Sequence, residues 1–430
     1  MKRWLLMFMA ACLLLCLGIA GCTTRSAAEK TRTEDSPAPT AAPTGTPAPT
    51  ATPVPTATPT PEPTPCPHLN WTDGVCDDCG EVCPHPGWEG GRCTACAMAC
   101  PHPSHDAQTR VCAQCGETAP HTYLNGVCTM CGEKPVFTDE ILARDLFEPC
   151  EHKGTVECLT YTTQDYMNSP AYATPILLEK KVYVYLPYGY DPSEKYDVII
   201  LLHGMGGTAS YWLVDKQDYR YPLQDDVYTT DLLDNLMEAG WCRKMIIATP
   251  CFYRYPTDMG VYNRKVDVSQ CYPELRTDIL PLLLENYPTW AEEPTLEGMA
   301  AQRQHFAYAG LSMGSIYAYI SIIPDCLDLF GWFGCFSGSD GYMNQVAAAL
   351  NKPENADKPI YYFYNSIGTM DSMYYLHQGQ YKELVGMADG LTEGENAAFT
   401  EIKDAQHLYT AWATGLYNFL PVVFSLPAEQ

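Results

Sequence analysis

The chain is expected to be an α/β protein with a mainly parallel sheet, preceded by small cysteine- and histidine-rich repeats. Three observations predict this. From about Gly154 onward, apolar strand-like runs alternate with helical stretches. Between Cys66 and Cys131 a Cys-x-His and Cys-x-x-Cys pattern recurs. Ahead of both lie an apolar leader and a stretch built of Pro and Thr. At roughly 150 residues per domain, the 430 residues suggest two or three units. With 46% hydrophobic residues, some of the chain must bury a core. The formal net charge of −25 lacks the basic footprint that nucleic-acid phosphates require. It also disfavours electrostatic binding to anionic lipid.

Residues 1–21 read as an export signal, with Lys2 and Arg3 followed by the apolar run Trp4 to Ala20. The run ends in Ile19-Ala20-Gly21-Cys22, which resembles the bacterial lipobox. That resemblance implies lipidation of Cys22 and a chain exported to the bacterial cell surface, anchored in the membrane. An ordinary signal peptide and an uncleaved anchor are the alternatives, since about 18 apolar residues is borderline for spanning. No second stretch of the sequence is long and apolar enough to span. Residues 22–65 form a linker. Ser36 to Pro65 holds eleven Pro and nine Thr in thirty residues, a composition that favours extended polyproline II over a core. At ~3.1 Å per residue such a stalk reaches about 90 Å.

Residues 66–135 carry the repeats. Cys66 and His68 precede Cys76 and Cys79; Cys83 and His85 precede Cys93 and Cys96; Cys100 and His102 precede Cys112 and Cys115. A fourth unit keeps His121, Cys128 and Cys131 but has Ala119 in the place of its first Cys. Three Cys and one His are a tetrahedral zinc set, and few large aliphatic residues are present to form a core instead. The competing reading is a disulfide framework, which export permits. Eleven Cys between Cys66 and Cys131 cannot all pair among themselves, and disulfides do not account for the recurring His. Zinc-ribbon-like modules are therefore the expectation. Cys150 and His152 repeat the Cys-x-His spacing and are a further source of ligands for the fourth set. With no acid or base in catalytic array, the repeats are read as a spacer or as a dock for another surface component.

Residues 150–430 are expected to form the catalytic domain. Strand candidates are Lys181 to Leu186, Val198 to Leu202, Met245 to Thr249, Phe306 to Ala309, Tyr361 to Tyr364 and Phe399 to Ile402. Helical stretches include Asp231 to Ala239, Glu274 to Glu285 and Ser315 to Ile323. Alternation of this kind implies a parallel sheet covered on both faces. Gly310-Leu311-Ser312-Met313-Gly314 lies between a strand and a helix, the context of a nucleophile elbow. Leu202-His203-Gly204-Met205-Gly206-Gly207 ends another strand. Its backbone can offer an oxyanion donor, with a second from Met313 after the serine. It lacks the Lys-Ser/Thr of a P-loop, and its glycines miss the dinucleotide fingerprint. Asp371 and His407 then follow Ser312 in the α/β-hydrolase order. Asp404 competes for the role of acid, but it stands only three residues from His407. His377, the one other histidine after Ser312, reads as a surface residue.

Lys181 to Tyr190 and Tyr196 to Gly204 resemble the esterase D-like family of carbohydrate esterases, carbohydrate esterase family 1, which includes feruloyl esterases. Ala309 to Gly314, Gly368 to Ser372, His407 to Trp412 and Gly415 to Leu420 match its later blocks, so the resemblance covers about Gly154 to Val423. Two positions depart from the pattern: Ala405-Gln406 replaces a glycine pair, and Ser315 stands where a second Gly is common. The resemblance implies an α/β-hydrolase fold with Ser312 as nucleophile, His407 as base and Asp371 as orienting acid. Met205 and Met313 amides would be the oxyanion donors. No cofactor is expected for catalysis, and the expected partner is an acylated polysaccharide or oligosaccharide. The leading reading is a surface-anchored serine esterase on feruloyl-type esters. An acetyl-xylan or siderophore-type esterase is the alternative within the class, and a catalytically inactive binding scaffold the alternative outside it.

Overall fold

The structure is a computed structural model. It describes residues 136–425 apart from 167, 170–173, 221–224, 256–270 and 340–342, together with three pairs of two-residue strands between 71 and 128. Eight strands form the main sheet: β1 (Thr155–Gln164), β2 (Leu177–Leu186), β3 (Asp197–Leu202), β4 (Met245–Thr249), β5 (Phe306–Leu311), β6 (Trp332–Phe336), β7 (Tyr362–Gly368) and β8 (Ala397–Ile402). Their order is β1-β2-β4-β3-β5-β6-β7-β8. Pairing is antiparallel between β1 and β2 and between β2 and β4, and parallel from β4 through to β8. This is the α/β-hydrolase fold.

The helices that pack on the sheet among the described residues include α1 (Thr229–Glu238), α2 (Leu280–Asn286), α3 (Leu296–Ala301), α4 (Met313–Tyr317), α5 (Ile323–Cys326), α6 (Met343–Leu350), α7 (Tyr374–Met387) and α8 (Tyr409–Phe419). They cover both sheet faces, so β3, β4, β5 and β6 are buried along their whole length and read as continuous apolar runs. On one face, α1 supplies Leu232, Leu233 and Leu236 and α8 supplies Ala413, Leu416 and Phe419 to a core with Ile199, Leu201, Ile247 and Ala309. On the other, Tyr319 packs edge-on to Phe363, and Tyr381 of α7 stacks on Phe363 and packs against Phe399.

Several boundaries differ from the expectation for physical reasons. β1 went unread because it is an edge strand whose first six residues are mostly exposed, so it carries no apolar alternation. β6 carries Gly334 at its centre, which breaks the apolar run that marks the other buried strands. The packed unit also reaches back before residue 150. Phe137 sits edge-on to Tyr364 at 5.0 Å, and Thr138 N–H donates to Asn418 Oδ1 at 3.0 Å. Leu142 and Phe147 are buried.

In the repeat region, Trp71–Thr72 pairs with Val75–Cys76, Trp88–Glu89 with Arg92–Cys93, and Tyr123–Leu124 with Val127–Cys128, all antiparallel. The intervening residues in the sequence are Asp73-Gly74, Gly90-Gly91 and Asn125-Gly126, the pairs that favour two-residue hairpin turns. Each register sets an aromatic residue opposite the first cysteine of a Cys-x-x-Cys pair: Trp71 with Cys76, Trp88 with Cys93, Tyr123 with Cys128.

Candidate active site

The strand order reverses on either side of β3: the chain leaves it for β4 on one flank and returns to β5 on the other. Loops at the carboxyl ends of β3 and β5 then diverge, which opens a crevice at that end of the sheet. Ser312 stands there, between β5 and α4, with φ 49° and ψ −112°. A non-glycine residue in this strained region persists only where its surroundings enforce it, and here the flanking glycines do so. A Cβ on Gly310 would fall 2.5 Å from the Gly314 carbonyl carbon, and one on Gly314 would fall 2.7 Å from His203 O. Both positions require backbone against backbone. Ser312 N–H, in turn, donates to Phe336 O at 2.7 Å.

His407 and Asp371 reach Ser312 from the next loops along. His407 Nε2 lies 2.9 Å from Ser312 Oγ, and Nδ1 lies 2.7 Å from Asp371 Oδ2. The Asp371 side chain is wholly removed from solvent, whereas that of His407 is 28% exposed. The second carboxylate oxygen of Asp371 accepts Met373 N–H at 2.8 Å. The two loops are stapled together: Thr369 N–H donates to Ile402 O and Met370 N–H to Ala405 O, both at 2.9 Å. A Cβ on Gly368 would fall 2.1 Å from Ala405 O. Buried Ala405 thus occupies the first position of the expected glycine pair as the packing partner of the Asp371 loop. Asp404 is exposed in a left-handed turn at φ 53°, and its N–H donates to Thr369 Oγ1 at 2.9 Å. Asp371, not Asp404, pairs with His407.

The loop after β3 borders Ser312 directly, since a Cβ on Gly204 would come within 3.1 Å of Ser312 Cβ. Its turn is closed by Gly207 N–H to Gly204 O at 3.1 Å, and Gly206, at φ 83°, donates to Tyr253 Oη at 2.8 Å. Met205 lies within this turn, half-buried. Met313 is the first residue of α4, where a helix leaves its amide without an intrahelical acceptor. His203 is buried against Phe252 with ring centroids 4.3 Å apart. Burial pushes its imidazole down to about 4.

Two groups near the site have surroundings that the sequence does not indicate. Trp412 meets the His407 ring edge-on at 5.2 Å and Tyr211 at 6.3 Å, making an aromatic wall. The Trp412 Nε1–H is buried, with no acceptor among the described residues. His377 is a correction: it is fully buried on α7, and burial pushes it down to about 3. Its surface assignment failed because polarity outweighed position. It shares its buried face with Tyr381 and Leu384, at helical spacing.

Among the expected site residues, Cys22, Cys66, His68, Cys79, Cys83, His85, Cys96, Cys100, His102, Cys112, Cys115, His121 and Cys131 lie outside the described residues. Cys76, Cys93 and Cys128 are placed only as strand ends. Among the described residues no group of three or more His, Cys, Asp or Glu is disposed to hold a metal ion. His152 Nδ1 is 2.8 Å from Glu238 Oε1, and its ring stacks on Tyr188. Cys150, Cys158, Cys242, Cys251, Cys326 and Cys335 are free thiols.

No protein-family model matches the chain. It is similar to endo-1,4-beta-xylanase Y of Acetivibrio thermocellus, with 28% identity over 228 residues. That match takes in 51% of this chain and 18% of the xylanase, so the chain spans about a fifth of that relative's length. Among solved structures, it is similar to a serine-to-alanine mutant of the feruloyl esterase module from Clostridium thermocellum complexed with sinapinate. The TM-score is 0.55 at 25% identity, over 69% of this chain and 97% of that one. A CE1 ferulic acid esterase from Anaeromyces mucronatus shares the fold, with TM-score 0.51 at 21% identity over 68% and 99% of the two chains. Residues 136–425 thus have an α/β-hydrolase fold, similar to the feruloyl esterases of carbohydrate esterase family 1.

Proposed function

We propose that the chain is a serine esterase that hydrolyses feruloyl-type acyl esters on plant polysaccharide. One observation carries this reading: His407 bridges Ser312 Oγ and a buried Asp371 at 2.9 Å and 2.7 Å, at a strand–helix elbow. A serine hydroxyl is a weak nucleophile until a base takes its proton. His407 Nε2 takes it as Oγ attacks the ester carbonyl, and Asp371 holds the Nδ1–H tautomer and stabilises the imidazolium. The carbonyl oxygen becomes an oxyanion, for which the Met313 and Met205 amides are the donors. Collapse expels the polysaccharide hydroxyl, which takes its proton from His407. Water activated by the same imidazole then releases the acid from Ser312.

The electrophilic help comes from backbone amides, so the reaction calls for no cofactor. Trp412, edge-on to His407, and Tyr211 packed behind it support an aromatic acyl group. Likeness to a module complexed with sinapinate favours the same class of acid.

The remaining segments complete the proposal. Cys22 carries a lipid that tethers the chain to the outer face of a bacterial membrane, and the Pro/Thr stalk holds the enzyme away from it. The Cys/His units hold zinc and dock or space the enzyme at the surface. Their Cys and His spacing supports this reading. The deciding experiment compares the full chain with Ser312→Ala on methyl ferulate and on acetylated xylan. Hydrolysis of methyl ferulate that the alanine variant loses is the expected result. Turnover by Ser312→Ala overturns the mechanism, and activity confined to acetylated xylan overturns the acyl class.

A further inference from the structure

Neither the triad nor the oxyanion loop uses His377, yet its surroundings lead straight to Ser312. A buried imidazole is tolerated only when its nitrogens are satisfied, and both are. Gly338 N–H donates to His377 Nδ1 at 3.1 Å, so the ring proton sits on Nε2, which donates to Asn365 Oδ1 at 3.0 Å. Tyr319 Oη–H donates to the same Asn365 oxygen at 2.5 Å.

Gly338, the group His377 holds, is the brace of the nucleophile. A Cβ there would fall 2.3 Å from Ser312 O and 2.9 Å from Ser312 C, so the two backbones are in direct contact. Phe336 O takes the Ser312 N–H, and Gly338 O accepts Ser315 Oγ–H at 2.5 Å. The loop after β6 therefore grips the elbow at residues 312 and 315. That loop is itself strained: Ser337, between the two contacts, has φ 56°. Strained residues facing each other need an outside group to over-determine them.

The outside group sits on α7, the helix that begins three residues after the acid. Met373 N–H donates to Asp371 Oδ1, Tyr374 N–H to Asp371 O at 3.1 Å, and His377 N–H to Met373 O at 2.9 Å. The N-terminus of α7 thus fixes Asp371, and His377, one turn further along, fixes Gly338.

We propose that His377 is a positioning residue for the esterase reaction: by accepting the Gly338 N–H, it holds the loop after β6 against Ser312 and sets the nucleophile's distance from His407. This rests on Ser312 being the nucleophile. A core filler would need only the volume of the ring, whereas the brace needs its acceptor, and substitutions at His377 separate the two. Asn places an oxygen near the Nδ1 position and keeps the bond to Gly338. Gln reaches instead toward Asn365, and Leu keeps neither.

The test measures kcat and KM on methyl ferulate, the rate at which a fluorophosphonate modifies the serine, and thermal melting, for the full chain and its His377→Asn, His377→Gln and His377→Leu variants. A displacement near 1 Å is enough to lower kcat by on the order of 10- to 100-fold. That loss, with KM little changed, is expected for Leu and Gln, and fluorophosphonate labelling should slow in parallel. The Asn variant should recover most of both. Should Leu fail to fold, the Asn–Gln comparison decides alone. Wild-type kcat in folded Leu, or equal kcat in Asn and Gln, overturns the proposal. Ser312→Ala runs alongside: if it remains active, the mechanism falls. If it is inactive while His377→Leu behaves as wild type, only the positioning role falls.

Discussion

Replacing Asp371 by Asn removes a charge while leaving the shape, and the surrounding hydrogen bonds dictate how the amide settles. In the native chain Asp371 Oδ1 accepts Met373 N–H and Oδ2 faces His407 Nδ1, with the side chain closed off from water. An asparagine can keep only one of these as an acceptor. Turning its NH2 toward Met373 would bury two donors face to face, and an unsatisfied buried donor costs about 1–3 kcal/mol. Turning its NH2 toward His407 needs only that the imidazole move its proton to Nε2. The second arrangement is the cheaper one, and it points an N–H at Ser312 Oγ across the 2.9 Å contact. The serine then has no base. A wrong tautomer of this kind lowers kcat about 10⁴-fold, which corresponds to about 5 kcal/mol of lost transition-state stabilisation. Initial rates on methyl ferulate measure it, with thermal melting as a check that the fold is intact. A folded Asp371→Asn enzyme that keeps more than about a tenth of its kcat refutes the assignment. So does an Asp404→Asn enzyme that suffers the loss instead, because exposed Asp404 should be replaceable with no more than about a twofold change.

Gly314→Ala should destabilise the domain by about 1–3 kcal/mol, because its Cβ would meet His203 O at 2.7 Å and Leu202 O at 2.8 Å. Denaturant melts read this, and an unchanged midpoint would mean that α4 can shift freely. Burial holds the folded-state His203 down to about 4 and His377 down to about 3, from 6.5. The unfolded chain therefore binds these protons first, and the stability they represent is present above pH 6.5 and lost as pH falls toward about 4 for His203 and about 3 for His377. Each contributes up to about 1.4 kcal/mol per pH unit across that window. The His377→Asn variant should show a slope of unfolding free energy against pH shallower by about one proton, and an unchanged slope contradicts it. Cys22→Ala should move the chain from the detergent-extracted membrane fraction into a soluble or unprocessed form; unchanged membrane association favours an uncleaved anchor. Elemental analysis of reduced full-length protein should find about three zinc ions from the three complete sets of Cys and His. A chelator should strip them without slowing ester hydrolysis, whereas lost activity that zinc restores would refute the separation of the two parts.

What could be read from residue order was local chemistry. The elbow is a strand, one turning residue and a helix in succession, so Gly310 to Gly314 announced Ser312 with no knowledge of the rest of the chain. Asp371 and His407 were legible because each follows its own strand, β7 or β8, and because parallel strands deliver their following loops to one end of the sheet. The nucleophile's brace was hidden for the opposite reason. Gly338 and His377 are 39 residues apart and belong to no motif. Gly338 matters only through the backbone space it leaves beside Ser312, which no side-chain pattern records. His377 looked like a surface residue because polarity was weighed above position. Its place on one helical face with Tyr381 and Leu384 was already visible, and that face turns toward Phe363 and Phe399 of the sheet. A polar residue on the apolar face of a helix implies buried partners for its polar atoms. For His377 those partners are Asn365 and the Gly338 amide beside Ser312, so the residue that breaks the pattern is the one that ties the helix to the site.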